Sequence, residues 1–154
     1  MPDGVTLTIT GVEEVMSWLD KVSHEYRDAS IAGTTRWLND LAAKIQENIR
    51  SLGLVQSGAL LRGVTVEVAG VTAAEWEGNI LISVAYAEIH EYGGTIKAAR
   101  KFLVFVNDRT GDFVYTNQAV IPARPFIAPA LAEMEDKLEQ YIADEIERRG
   151  LGGE

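Results

Sequence analysis

The stretch Ile121-Pro-Ala-Arg-Pro-Phe-Ile-Ala-Pro-Ala-Leu131 sets three prolines within eight positions, directly before the longest helical pattern in the chain. Proline fixes its own φ and pushes the preceding residue out of the α region. Ile121 and Arg124 are therefore expected to be extended, and 121–125 forms a stiff strap. Pro129 lacks an N–H and fits a helix only in its first turn, where that donor has no partner anyway. The N-cap accordingly falls between Phe126 and Ala128. From there Ile127, Leu131, Met134, Leu138, Tyr141, Ile142 and Ile146 recur at steps of three and four, an amphipathic stripe. Arg148 and Arg149 complement the negative helix end, and Gly150 supplies a left-handed stop. The reading is a helix over 127–149 aimed by a proline strap.

Working back from the strap, Phe113–Tyr115 and Phe102–Val106 flank the turn cluster Asn107-Asp-Arg-Thr-Gly-Asp112, which predicts a hairpin with its tip at 107–112. Phe102–Val106 is apolar at every position, the pattern of a strand covered on both faces. Gly93-Gly94 ends a short helix over 86–92. Val64, Val66 and Val68 alternate with polar residues, as do Ile80, Ile82, Val84 and Tyr86, giving two strands with one wet face each. Val5–Ile9 alternates in the same way. Thr10 and Glu13 are spaced as a capping box, opening a helix with Val12, Val15, Met16, Leu19, Val22 and Tyr26 on one side. Ala29–Thr35 is small and polar and contains Gly33, so a break or kink is expected there. Ile31, Leu38, Leu41, Ala42, Ile45 and Ile49 form the stripe of a second helix; 12–52 is thus two helices or one long kinked helix. The expected fold is α+β: an antiparallel sheet of four to five strands over 63–116, with the N-terminal helices and a long C-terminal helix packed on it.

At 154 residues the chain is expected to form a single domain, 1–154. It has no cysteine, so disulfide and thiol chemistry are excluded. No secretory leader is expected from Met-Pro-Asp-Gly, and no membrane association, since no segment approaches the ~20 apolar residues of a span. The formal net charge of −9 disfavours gripping nucleic-acid phosphates.

The residues with chemical potential are few. Glu88, His90 and Glu91 suggest ligands or an acid–base set, and a small metal-assisted hydrolase is the alternative reading. The zinc-protease pattern requires a second histidine where Gly94 stands, and His24 belongs to a different helix. Ser57 has no Gly-x-Ser-x-Gly frame and reads as a turn former. Gly93-Gly94 is too short for a phosphate loop. Trp18, Trp37 and Trp76 read as core or interface residues, and Glu133, Glu135, Asp136, Glu139, Asp144, Glu145 and Glu147 as the wet face of the last helix. Arg124, held between Ala123 and Pro125, offers a planar fork either to Glu88 or Glu91 or to solvent. No catalytic residue, cofactor or metal ligand is expected.

Three landmarks fall in order: Ser57-Gly58-Ala59-Leu60, Tyr86-Ala-Glu88-Ile-His90-Glu91-Tyr-Gly93-Gly94, and Pro122-Ala-Arg124-Pro125-Phe126. Over about residues 30–149 the chain resembles the tail-completion, or head–tail joining, proteins of long-tailed bacteriophages, including Mu-like virion morphogenesis proteins. It departs from them in a longer hairpin region, Lys97–Ala119. The resemblance implies a structural virion protein rather than an enzyme, assembled in the bacterial host cytoplasm and located at the tail or neck. It implies a homo-oligomeric ring, six-fold as in long tails, between a head-side connector or adaptor and a tail terminator or tail-tube protein. The net negative charge would let DNA pass through the lumen of such a ring without specific binding, by like-charge repulsion. Arg124, Pro125 and Phe126 are expected to fix the last helix, with Gly93 and Gly94 turning beside it. The tip residues Asn107, Asp108, Arg109, Thr110, Gly111 and Asp112 are expected to contact neighbouring subunits.

Overall fold

The computed structural model describes residues 4–8, 24–69, 76–107 and 109–152. In order the elements are β1 (Val5–Thr8), α1 (His24–Ser51), α2 (Ala59–Gly63), β2 (Val64–Ala69), β3 (Glu77–Ile82), α3 (Ala87–Tyr92) and β4 (Gly94–Lys97). They are followed by β5 (Leu103–Val106), β6 (Phe113–Thr116), β7 (Gln118–Ile121), α4 (Ala128–Met134), a 3-10 turn (Glu135–Lys137) and α5 (Leu138–Arg148). The fold is α+β. The capping box at Thr10 and Glu13, the stripe from Val12 to Val22 and Trp18 lie outside the described residues.

The break expected at Ala29–Thr35 does not occur; α1 runs through it without interruption. The polar residues there do not leave the helix, because their hydroxyls turn back onto it. Ser30 Oγ donates to the Tyr26 carbonyl at 2.9 Å, Thr34 Oγ1 to that of Ser30 at 2.8 Å and Thr35 Oγ1 to that of Ile31 at 2.7 Å. Gly33 has a packing role rather than a breaking one. A Cβ at this position would lie 2.7 Å from the Tyr141 carbonyl oxygen and 2.8 Å from Ile142 Cα, so the last helix crosses α1 directly over the glycine. The two helices run antiparallel. Asn48 Nδ2 donates to the Phe126 carbonyl at 3.0 Å near one end, and Trp37 Nε1 to the Met134 carbonyl at 2.7 Å. At the other end the Tyr26 hydroxyl donates to the Leu151 carbonyl.

The core lies where α1, α4 and the first sheet meet. Trp37, Leu38, Leu41, Ile45 and Ile49 of α1 pack with Leu60, Ile80, Ile82, Phe126 and Met134. Pro129 sits in the first turn of α4, after an N-cap at Ile127. The acidic face expected for the last helix needs one correction: Glu145 is buried, not solvated. Its carboxylate accepts from Arg36 Nη1 at 3.3 Å, Arg148 Nη1 at 2.9 Å and Arg149 Nε at 3.1 Å. The hydrogen bond from Arg149, with the other two cations, holds its pKa below the ordinary value.

Among the described residues the strands pair antiparallel, but they divide among three small sheets instead of forming one. β3 lies between β1 and β2, with Ile82 opposite both Val5 and Val64. β4 pairs with β7, and β5 with β6. The first sheet stops at Ile82 because the Val84 N–H donates back to the Ile82 carbonyl at 2.9 Å, a γ-turn that leads into α3. Phe102–Val106 was expected to be covered on both faces, and this too is corrected. Phe102, Val104, Phe105 and Val106 are exposed, because among the described residues β5 pairs with β6 alone and the pair packs little against the helices.

Gly33→Ala tests the helix crossing. Alanine has the better helix propensity by ~1 kcal/mol, yet its methyl would meet the backbone of Tyr141 and Ile142. Denaturant melts should show a net loss of about 1–3 kcal/mol; a gain in stability would contradict the close approach.

Candidate functional site

Of the residues singled out in the sequence, His90, Glu91, Gly93, Gly94, Arg124 and Phe126 converge on one joint, between α3 and the start of the last helix. α3 is anchored by Ala87, which is fully buried, and it turns Glu91 inward. The Glu91 carboxylate then reaches the start of the last helix. Its Oε2 accepts the Phe126 N–H at 2.7 Å and the Ile127 N–H at 2.9 Å, and its Oε1 accepts the Ala128 N–H at 3.0 Å. Helix N-termini leave their first amides without internal partners and carry partial positive charge. No side chain of the local segment caps α4. One carboxylate from 35 residues earlier in the chain supplies what a Ser, Thr, Asp or Asn at the cap would supply.

The double-glycine bend and the proline strap meet beside this cap. Gly93 ends α3 with φ 71°, in the left-handed region. A Cβ on it would come within 2.8 Å of the Ala123 amide nitrogen and 3.1 Å of the Ile121 carbonyl oxygen, so only glycine fits without a shift. The Arg124 N–H donates to the His90 carbonyl at 2.6 Å. Gly94 begins β4 opposite Ile121 of β7. Phe126 is fully buried under the joint, while Tyr92 is 71% exposed. Pro125 is exposed, and so is Arg124; its guanidinium takes the solvent-facing alternative and forms no ion pair with Glu88 or Glu91 among the described residues. The reason is local: the Glu91 oxygens already serve the helix amides.

His90 lies edge-on to Tyr86, with ring centroids 5.7 Å apart. Its Nδ1 is buried and has no hydrogen-bond partner among the described residues. Burial, and secondarily the Arg124 guanidinium, hold the imidazole below its ordinary pKa of 6.5. Glu88 is exposed, whereas Glu91 is buried. Among the described residues no group of three or more His, Asp and Glu side chains is placed to hold a metal ion, and no helix is long and apolar enough to cross a membrane. Ser57 and Gly58 form the turn before α2: Ser57 Oγ accepts the Ala59 N–H at 3.3 Å and Gly58 has φ 69°. Leu60 is buried in the same core as Phe126.

The hairpin tip is internally organised. Asn107 Oδ1 accepts the Arg109 N–H at 2.9 Å, the Asn107 N–H donates to the Asp112 carbonyl at 2.8 Å, and Gly111 takes φ 74°. Thr110 Oγ1 accepts the Asp112 N–H at 3.3 Å, and Arg109 to Asp112 are exposed; Asp108 lies outside the described residues. The β5–β6 register puts Val104 opposite Tyr115 and Val106 opposite Phe113. These four share one face, and they are exposed by 55%, 64%, 50% and 66% respectively. Among the described residues this two-stranded sheet pairs with no further strand, so its edges and its apolar face stand open.

Comparison of the chain with protein-family profiles, with curated proteins and with solved structures gave no match.

Sequence reasoning placed the strap, the glycines and the last helix but missed the capping role of Glu91. A signal for it existed. Phe126-Ile127-Ala128 has no polar residue to cap the helix that Pro129 positions, so a carboxylate from elsewhere had to serve.

Glu91→Ala should lower stability by roughly 3 kcal/mol, because it leaves three buried or half-buried amides without an acceptor. Glu91→Gln, which keeps one acceptor oxygen, should lose roughly half as much; equal stability of all three proteins in urea melts would refute the cap. His90 gives a pH signature. With its folded pKa below 6.5, the unfolded chain takes up the proton first. Its contribution is therefore fully present above the ordinary value and is lost as pH falls through the lower folded value. Urea midpoints at pH 7.5 and 5.5 should differ, and His90→Gln should narrow the difference.

Proposed function

We propose that this chain is a structural component of a tailed-bacteriophage virion. In this reading it is a tail-completion or head–tail joining protein that acts as a homo-oligomeric ring at the neck, between a head-side adaptor and the tail. The three motifs at 57–60, 86–94 and 122–126 suggest the family. The observation that carries the reading is the exposed apolar face of Val104, Val106, Phe113 and Tyr115. A subunit that closes a ring needs a heterologous contact, one patch meeting a different one. A projecting hairpin with free edges supplies one half of such a contact. The inward-turned polar residues of the central motif serve this architecture, since Glu91 fastens a helix end and the backbone of His90 holds the strap.

Sedimentation of the purified chain, alone and mixed with adaptor or tail-tube subunits of a long-tailed phage, tests the reading. A closed ring of about six copies is expected in at least one mixture. A monomer under every condition, or hydrolytic activity lost in His90→Ala with the fold intact, would overturn it.

A further inference from the structure

The charge of this protein is divided between two regions of opposite sign. Residues 94–124, which span the two small sheets and the strap, contain Lys97, Arg100, Lys101, Arg109 and Arg124 against Asp108 and Asp112. This arm therefore carries +3, and the remaining 123 residues carry −12 of the total of −9. All five cations are exposed, and none forms an ion pair among the described residues. Lys101 Nζ lies over the Phe102 ring, 5.9 Å from its centroid. In the body, by contrast, Arg36, Lys44, Lys137, Arg148 and Arg149 are paired within the chain.

The complementary surface is the outer side of the last helix. Ala132, Asp136, Glu139, Ala143 and Glu147 recur at steps of three and four and are all exposed, opposite the buried Ala130, Met134 and Glu145. Asp136, Glu139 and Glu147 have no ion-pair partner among the described residues. The two alanines leave a shallow floor between the carboxylates. An arm cannot readily satisfy the helix of its own chain. α4 starts at the arm's base, and the helix then runs away from it along α1, putting Glu147 about 30 Å beyond Phe126 at 1.5 Å per residue.

We infer that the basic, apolar arm of one copy docks on the acidic outer face of the last helix of a second copy, head to tail. Lys97, Arg100 and Lys101 meet Asp136, Glu139 and Glu147, while the Val104, Val106, Phe113 and Tyr115 face covers the alanine floor. Charge complementarity selects the site and the orientation, and the apolar face supplies the area removed from water. The two patches differ, so the contact propagates in one direction around a ring. The inference rests on the proposed function for the presence of neighbouring copies, and it specifies which surfaces they share.

A charge-swap experiment on the full chain tests it. Sedimentation should show self-association of the wild type, weakened on the order of tenfold or more both in K97E/R100E/K101E and in D136K/E139K/E147K. Each variant pairs like charges with like, and each should remain largely monomeric. Mixed in equal amounts, the two should associate again, because each keeps one native patch. If a reversal disturbs folding, K97Q/R100Q/K101Q and D136N/E139Q/E147Q replace it, and each must weaken association. Four results with this chain and its variants in the absence of tail subunits overturn the inference. These are a monomeric wild type at its highest soluble concentration, undiminished self-association of either variant, failure of the natively folded pair to associate when mixed, or an arm reversal that abolishes binding to a duplex DNA probe while leaving self-association unchanged. Rings formed with tail subunits despite both reversals would sink this inference and leave the proposed function standing. Charge-swapped rescue without any ring at a phage neck would do the reverse.

Discussion

The carboxylate of Glu91 is the interaction on which the rest of the structure depends. It closes the gap between a six-residue helix in mid-chain and the segment that starts the final helix, accepting from three successive amides. Each of those amides would otherwise be an unmet donor at or near a fully buried Phe126, and an unmet buried donor costs free energy. The proline strap and the left-handed Gly93 limit how the chain can approach the acceptor. With the helix end fixed there, its apolar side lies along α1, and Gly33 lets the two backbones come close. Local rigidity and long-range packing thus act through the same point.

Much of this was legible in the sequence because it is local. Pro129 bounds the helix start whatever the fold, and the three-and-four spacing from Ile127 to Ile146 shows which side is apolar. The strands at 5–8 and 64–69 were legible as period-two alternation, which also found Ile80 and Ile82 but ran on to Val84 and Tyr86, beyond the end of β3. What was not legible depends on partners far along the chain. An isolated Gly33 within Ser and Thr reads as a break, and only the crossing of the last helix turns it into a contact. The run Phe102–Val106 has the same composition whether a strand is covered or stands free, so the apolar run could not reveal its exposure. Glu145 reads as one more acid of the wet face, yet it falls seven residues after Leu138, on the apolar side of the helix, where Arg36, Arg148 and Arg149 meet its carboxylate. The single sheet expected from strand count became three because turns, not alternation, decide which strands meet.

The structure separates a well-packed body from an arm held mainly by its own strand pairing. The body contains the large buried side chains, most of the internal ion pairs and nearly all of the acid. The arm has exposed valine and aromatic side chains and unpaired cations, a composition costly in isolation but useful where other surfaces are close. The division also explains the chemistry of the central motif. Its glutamate and backbone carbonyl serve the joint, and its histidine sits where an extra proton is unwelcome.

The clamp between Glu91 and Phe126 also affects how the chain can vary over generations. It fixes both ends of the segment between them, so the residues between the Gly93 bend and the strap behave as a closed loop. The entropy of closing a flexible loop rises by only about 0.6 kcal/mol per doubling of its length. Insertions and deletions in that interval can therefore change the reach of the projecting strands while the helices below remain as they are.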